Sequence, residues 1–174
     1  MPYAFDFPIV LTIPFRRLPQ TASLHLPEQR SILVVVEAGY RTIDHTADKA
    51  IEVWAPDLGE LILQAARGLI DLLVEPGQLA PACEVEISVT AEGPEVLLHD
   101  ALSEILYLVE DDGLMPLRVR LASQDGPQVS LNIGVVEMAT AEPHVSGLIK
   151  AVTYHNLEIE QTSSGLRTQV VFDT

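Results

Sequence analysis

Asp44, His45, Thr46 and Asp48 place polar side chains in the short run Asp44-His45-Thr46-Ala47-Asp48, between two stretches of strand-like apolar character. Carboxylates at this density suit a hard cation such as Ca²⁺ or Mg²⁺, which takes oxygen ligands. The same residues also suit an Asx-turn, in which a short polar side chain bonds the backbone ahead of it. Spacing alone leaves both readings open. Asp173 is a second candidate, because it follows the apolar run Val170-Val171-Phe172 and precedes Thr174. A carboxylate at the tip of a core strand, with a terminal Thr174 carboxylate beside it, needs a cation or a base if it is buried; otherwise it is simply solvated. Lys150, one of two lysines in the chain, stands between Ile149 and Ala151 at the start of a strand. It either pairs with an acidic cluster or faces solvent.

The familiar catalytic patterns are missing. The sequence has no Walker-type glycine loop, dinucleotide fingerprint, zinc-binding His-Glu-x-x-His helix or nucleophile elbow. With one cysteine and five histidines, a structural zinc site is not expected, and neither an internal disulfide nor a disulfide partner is implied. Cys83 reads as a small buried hydrophobe, His99 beside Asp100 as helix surface, His155-Asn156 as a turn, and Trp54 as a core or interface anchor.

The elements that must position these residues are legible from periodicity. Tyr40–Thr42 and Lys49–Ala55 read as strands on either side of the polar cluster, with Ile51 and Val53 on one face and Ala50, Glu52 and Trp54 on the other. Asp57 caps a first helix, and Glu60 three positions later completes a capping box. Leu58, Leu61, Ile62, Ala65, Leu69 and Leu72 form its apolar stripe, and Pro76-Gly77 ends it. Val85, Ile87 and Val89 alternate as a strand with one wet face. Pro94 opens a second helix whose stripe runs from Leu97 to Val109, and Asp111-Asp112-Gly113 closes it. Further strands are expected at Arg118–Ala122, Val129–Gly134, Leu148–Thr153, Leu157–Gln161 and Leu166–Phe172, with a hairpin through Thr162–Gly165. Residues 123–147 are weakly patterned. The expected fold is a single α+β layered domain, two helices packed on a mainly antiparallel sheet, over residues 39–174. Residues 1–38, broken by Pro8, Pro14, Pro19 and Pro27, read as an N-terminal extension.

Charge narrows the partners. Ten basic residues stand against twenty-five acidic ones, a net charge of -15, and residues 1–39 are balanced at three of each, so the excess sits in residues 40–174. Such a surface repels phosphate backbones, which favours a cation or a basic protein over RNA as the direct partner. No run approaches the eighteen apolar residues of a membrane span, and the opening Met1-Pro2-Tyr3 lacks a positive leader. The compartment expected on these grounds is the cytoplasm.

Four segments carry a family resemblance. Tyr40-Arg41-Thr42-Ile43-Asp44-His45-Thr46-Ala47-Asp48 resembles the first signature of the archeases, and IKAVTYHNLEI at 149–159 resembles the second. LLHDALSEILYLVE at 97–110 is similar to their second helix, and TQVVFDT at 168–174 to their last strand. The resemblance implies that Asp48 and Asp173 help to hold a divalent cation and that Lys150 is a functional residue. It further implies an accessory protein, not itself a catalyst, which promotes guanylylation and multiple turnover of an RtcB-type RNA-splicing ligase. GTP and Mn²⁺ belong to that ligase, and RNA is met only through it. Two departures stand out: residues 1–38 have no counterpart, and NIGVVEMATAEPHVSGL at 132–148 lacks the tryptophan-glycine turn common in the family.

On this reading Asp48 and Asp173, with Thr174 beside them, are oxygen ligands of one Ca²⁺ or Mg²⁺, while Asp44, His45 and Thr46 form the supporting turn. Lys150 has no lone pair for a cation, so it is expected to meet an acidic group of the ligase or a phosphate. A small metal-dependent phosphohydrolase is one rival, needing more convergent ligands than Asp44, Asp48 and Asp173. A nucleic-acid or protein chaperone is another; a nucleic-acid binder needs a basic groove with aromatics. The charge balance yields a direct prediction: at near-physiological salt, fluorescence anisotropy with ligase-substrate RNA shows no tight binding by this protein alone, and tight binding without the ligase contradicts it.

Overall fold

Strand alternation, an aspartate cap on the first helix and a proline at the start of the second organise the chain. The computed structural model describes residues 37–44, 49–75 and 79–174. The extension read over residues 1–38 lies outside the described residues except for its last two positions, as do His45, Thr46, Asp48 and the Pro76-Gly77 stop. In chain order the elements are β1 (Gly39–Asp44), β2 (Lys49–Ala55), α1 (Leu58–Leu73), β3 (Cys83–Thr90), α2 (Pro94–Glu110), β4 (Leu114–Asp125) and β5 (Gln128–Glu137). A short α3 (Met138–Ala141) and a 3₁₀ turn (Glu142–His144) follow, then β6 (Ala151–Thr153), β7 (Glu160–Thr162) and β8 (Gly165–Asp173).

Asp57 Oδ1 accepts the Glu60 N–H at 2.9 Å and starts α1 as its position predicts. The return half of the capping box is replaced, because Glu60 Oε1 instead accepts from Gln64 Nε2 at 2.7 Å, one turn further on. Pro94 occupies the first turn of α2. The expected hairpin near the C-terminus is present, with Thr162 opposite Gly165. Gly165 has φ 123°, and a Cβ there would collide with the carbonyl of Ala55, so only glycine fits. The weakly patterned stretch hides a second hairpin, in which Asp125 faces Gln128 across Gly126-Pro127.

The strands form two sheets. One runs β1-β2-β8-β6 with β7 also on β8, and the other runs β3-β5-β4. All the strand pairs are antiparallel. Both helices touch both sheets, and α1 is consequently buried round most of its circumference rather than along one stripe. Two glycines show why. A Cβ on Gly68 would lie 2.9 Å from Ile51 Cδ1 of β2, whereas one on Gly59 would lie 3.0 Å from Leu121 Cδ2 of β4. Nine residues apart, they stand about 180° round the helix from one another, so each lets the helix approach a different sheet. The core between the layers holds Leu61, Leu69, Leu98, Leu102, Leu131 and Phe172, all inaccessible.

Lengthening Gly68 to leucine drives a side chain into Ile51 and Tyr40. Gly68→Leu is expected to lower stability by about 1–3 kcal/mol, after a helix-propensity gain below about 1 kcal/mol is set against it. Urea unfolding measures this as a lower midpoint at unchanged slope; an unchanged midpoint contradicts the two-faced packing of α1.

Candidate metal centre

Strand register decides which distant residues meet. β1 sets Asp44 opposite Lys49, β2 sets Lys49 opposite Phe172, and β6 sets Ala151 opposite Asp173. The end of β1, the starts of β2 and β6 and the end of β8 therefore share one end of the five-stranded sheet. The chain leaves Asp44 and returns at Lys49 at this same end. The side chains of Asp44, His45, Thr46 and Asp48 lie outside the described residues, and the backbone frame around them is what the structure supplies.

Asp173 is exposed, one residue beyond the inaccessible Phe172, and among the described residues its carboxylate makes no ion pair. Among the described residues no three His, Cys, Asp or Glu gather as a ligand set. What the frame contributes is one free-standing carboxylate at a sheet end, an oxygen donor of the kind Ca²⁺ and Mg²⁺ take. Lys150 donates from its backbone N–H to Asp173 O at 2.8 Å and from Nζ to Thr174 O at 2.8 Å. Lys49, which the sequence reading passed over, reaches the space that a side chain on Gly147 would fill, close to the Leu72 carbonyl near the end of α1. Both lysines of the chain thus stand at this one end.

Three clusters hold the frame. On the outer face of the sheet Glu52, nearly buried, accepts from Arg41 on β1 and from Arg167 on β8. A buried carboxylate is costly unless paired, so the pairing ties three strands in one register. On the inner face the Tyr40 hydroxyl donates to Asp71 Oδ2 and joins β1 to α1. On the far edge His99 is not ordinary surface. Its Nδ1 lies 2.9 Å from Asp100 Oδ1, its Nε2 lies 3.2 Å from Val152 O, and its ring stacks on Tyr154 at 3.8 Å. This packs α2 against β6, next to the Ala151–Asp173 pair. Cys83, expected to be buried, is exposed at the edge of the smaller sheet. Trp54 donates Nε1–H to Glu37 O at 2.9 Å, and Asn156, at φ 55°, completes the expected turn.

The architecture defines a small layered α+β domain in which Asp44 and Asp173 lie at the same end of one sheet. The sequence model of the archease protein family matches residues 40–174. The chain is 35% identical over 144 residues to protein archease of Methanopyrus kandleri, an alignment covering 77% of this chain and 98% of that one. It is 31% identical over 137 residues to the probable protein archease of Mycobacterium tuberculosis, covering 78% of this chain and 75% of the relative. A Thermotoga maritima crystal structure, described as an archease and possible chaperone, superposes with TM-score 0.55 at 28% identity, over 77% of this chain and 96% of that one. A Methanobacterium thermoautotrophicum solution structure shares the fold with TM-score 0.63 at 23% identity, over 78% and 99% of the two chains. This chain belongs to the archease family. No helix among the described residues is long and apolar enough to cross a membrane.

Burial, then the hydrogen bond to Asp71 and its charge, push the Tyr40 phenol up to about 12, with Arg67 acting the other way. The folded state therefore favours the neutral phenol. Its stabilisation is complete below the ordinary tyrosine value of about 10, and it is lost as pH rises through about 12. Tyrosinate absorbance, titrated in the parent and in Tyr40→Phe, is expected to differ by a transition near pH 12. A difference centred near the ordinary value of about 10 contradicts the Tyr40–Asp71 contact.

Proposed function

We propose that this protein binds one Ca²⁺ or Mg²⁺ through Asp48 and Asp173 and acts as an accessory factor for an RtcB-type RNA-splicing ligase, without catalysing the joining itself. The β2–β8 register carries the reading: Lys49 faces Phe172, and one further step of the same pairing would bring Asp48 to Asp173. Membership of the archease family supports it, since both aspartates fall inside segments that resemble the family's signatures. Asp44, His45 and Thr46 serve as the supporting turn, and the Thr174 oxygens stand beside the site.

A bound divalent cation would supply positive charge to a strongly acidic protein beside Asp48 and Asp173. The chain's own residues orient that carboxylate pair, through β2 and β8, and the net charge of -15 keeps RNA away unless the ligase presents it. The partner's guanylylation and its repeated turnover, with GTP and Mn²⁺ on the ligase, are the steps promoted.

The test is a multiple-turnover ligation assay with the cognate ligase in excess over this protein, read beside calorimetric Ca²⁺ and Mg²⁺ titrations. The parent is expected to restore repeated joining and to bind one cation. Asp48→Ala and Asp173→Ala are each expected to weaken cation binding by at least about 10-fold and to abolish stimulation while the protein stays folded. Parent-like cation binding by both variants overturns the site, and normal stimulation by both overturns the link between site and ligase.

A further inference from the structure

Lys150 is held in an unusual way for an exposed lysine. Ile149 before it and Val152 two residues after it are buried, so its backbone is anchored on the core. From that anchor it makes two bonds to the end of β8, the backbone N–H to Asp173 O and Nζ to Thr174 O, both at 2.8 Å. One acceptor, Asp173 O, belongs to the Asp173–Thr174 peptide link, and the other, Thr174 O, lies one residue beyond it. On the opposite edge of β8 the pairing with β2 reaches Phe172. The Nζ bond is a clasp that adds to the Ala151–Asp173 pairing and carries the order of β8 on to Thr174, where a strand end otherwise frays.

We propose that Lys150 is a positioning residue for Asp173: its ammonium holds the main chain at Thr174 so that the Asp173 carboxylate is presented in one place. The proposal rests on the reading of Asp173 as a cation ligand, and it assigns Lys150 a role inside this chain instead of one directed at a ligase carboxylate or a phosphate. The ammonium is already engaged, and its hydrogen-bond acceptor is adjacent in sequence to the carboxylate in question. Groups that orient a metal ligand commonly change affinity by about 10–100-fold when removed.

Charge gives the discriminating sign. Removing a positive side chain near a cation site strengthens cation binding by Coulomb's law alone; losing a positioning group weakens it. Lys150→Ala, Lys150→Gln and Lys150→Arg are compared with the parent by calorimetric Ca²⁺ titration and by amide exchange of residues 150–152 and 172–174 in the metal-free protein. Lys150→Ala and Lys150→Gln are expected to lose about 10-fold in Ca²⁺ affinity and to exchange faster at the β8 end. Lys150→Arg, whose guanidinium can still donate to Thr174 O, is expected to recover most of both. Unchanged or tighter Ca²⁺ binding by Lys150→Ala overturns the proposal, as does unchanged exchange at residues 172–174. A parent that binds no Ca²⁺ overturns the metal reading, and with it the positioning role, whereas the exchange data still decide whether the clasp exists.

Discussion

The register between β2 and β8 is the constraint on which the rest of this structure depends. Side chains alternate faces along a strand, so a slip of one residue would send every core side chain of β8 to the wrong side. Ile51 opposite Val170 and Lys49 opposite Phe172 keep the apolar row of both strands toward the helices. The outer face adds a polar lock. Glu52 receives Arg41 from the strand on one side and Arg167 from the strand on the other. In any other register one guanidinium leaves and a nearly buried carboxylate loses part of its compensation. An apolar face and an ionic face thus specify the same alignment, and that alignment brings Asp173 to the end of the sheet where the signature loop begins and returns.

The helix layer makes the alignment rigid. α1 is pressed by the larger sheet at Gly68 and by the smaller one at Gly59, so neither sheet can shift without the other. Its far end meets the segment that follows α3: Val74 bridges Val145, and the Ser146 N–H donates to Leu73 O at 2.9 Å. That segment then delivers Ile149 to the core and Lys150 to the end of β8. α2 fixes the outer edge through His99, which is bonded toward Val152 and stacked on Tyr154. The sheet end is accordingly supported from β2, from α1 and from α2.

Much of this was legible in the sequence where the signal is local. Asp57, Pro94, the alternation from Lys49 to Ala55 and the turn at Thr162–Gly165 each act within a few residues, and each element formed as its pattern dictates. Most of the missed features depend on residues far apart in the chain. Ala66 and Gly68 lie off the apolar stripe read for α1, yet both are buried in the assembled fold. The sequence places Glu52 on one strand face with Ala50 and Trp54 but does not name its partners, because Arg41 and Arg167 reach it only through pairing. The β4–β5 hairpin is a local exception: Asp125-Gly126-Pro127 carries an Asp-Gly turn signal, but the residues that flank it are weakly patterned. Lys49 attracted no attention beside Asp48, although it is one of two lysines. The candidate aspartates are legible from residue type and from likeness to the archease signatures, whereas the placing of Asp173 at the sheet end where the signature loop begins and returns follows from register.

A single paramagnetic experiment reaches the centre of this account. Mn²⁺ stands in for a hard divalent cation with oxygen preference, and at substoichiometric amounts it broadens the amide signals nearest its site. Lys49, Asp173 and Thr174 are expected to broaden together, at the lowest additions and before the acidic residues of β3 and α2. Broadening that begins on those other acidic surfaces, or that reaches the β1–β2 connection without the end of β8, would contradict a cation site built by the β2–β8 register.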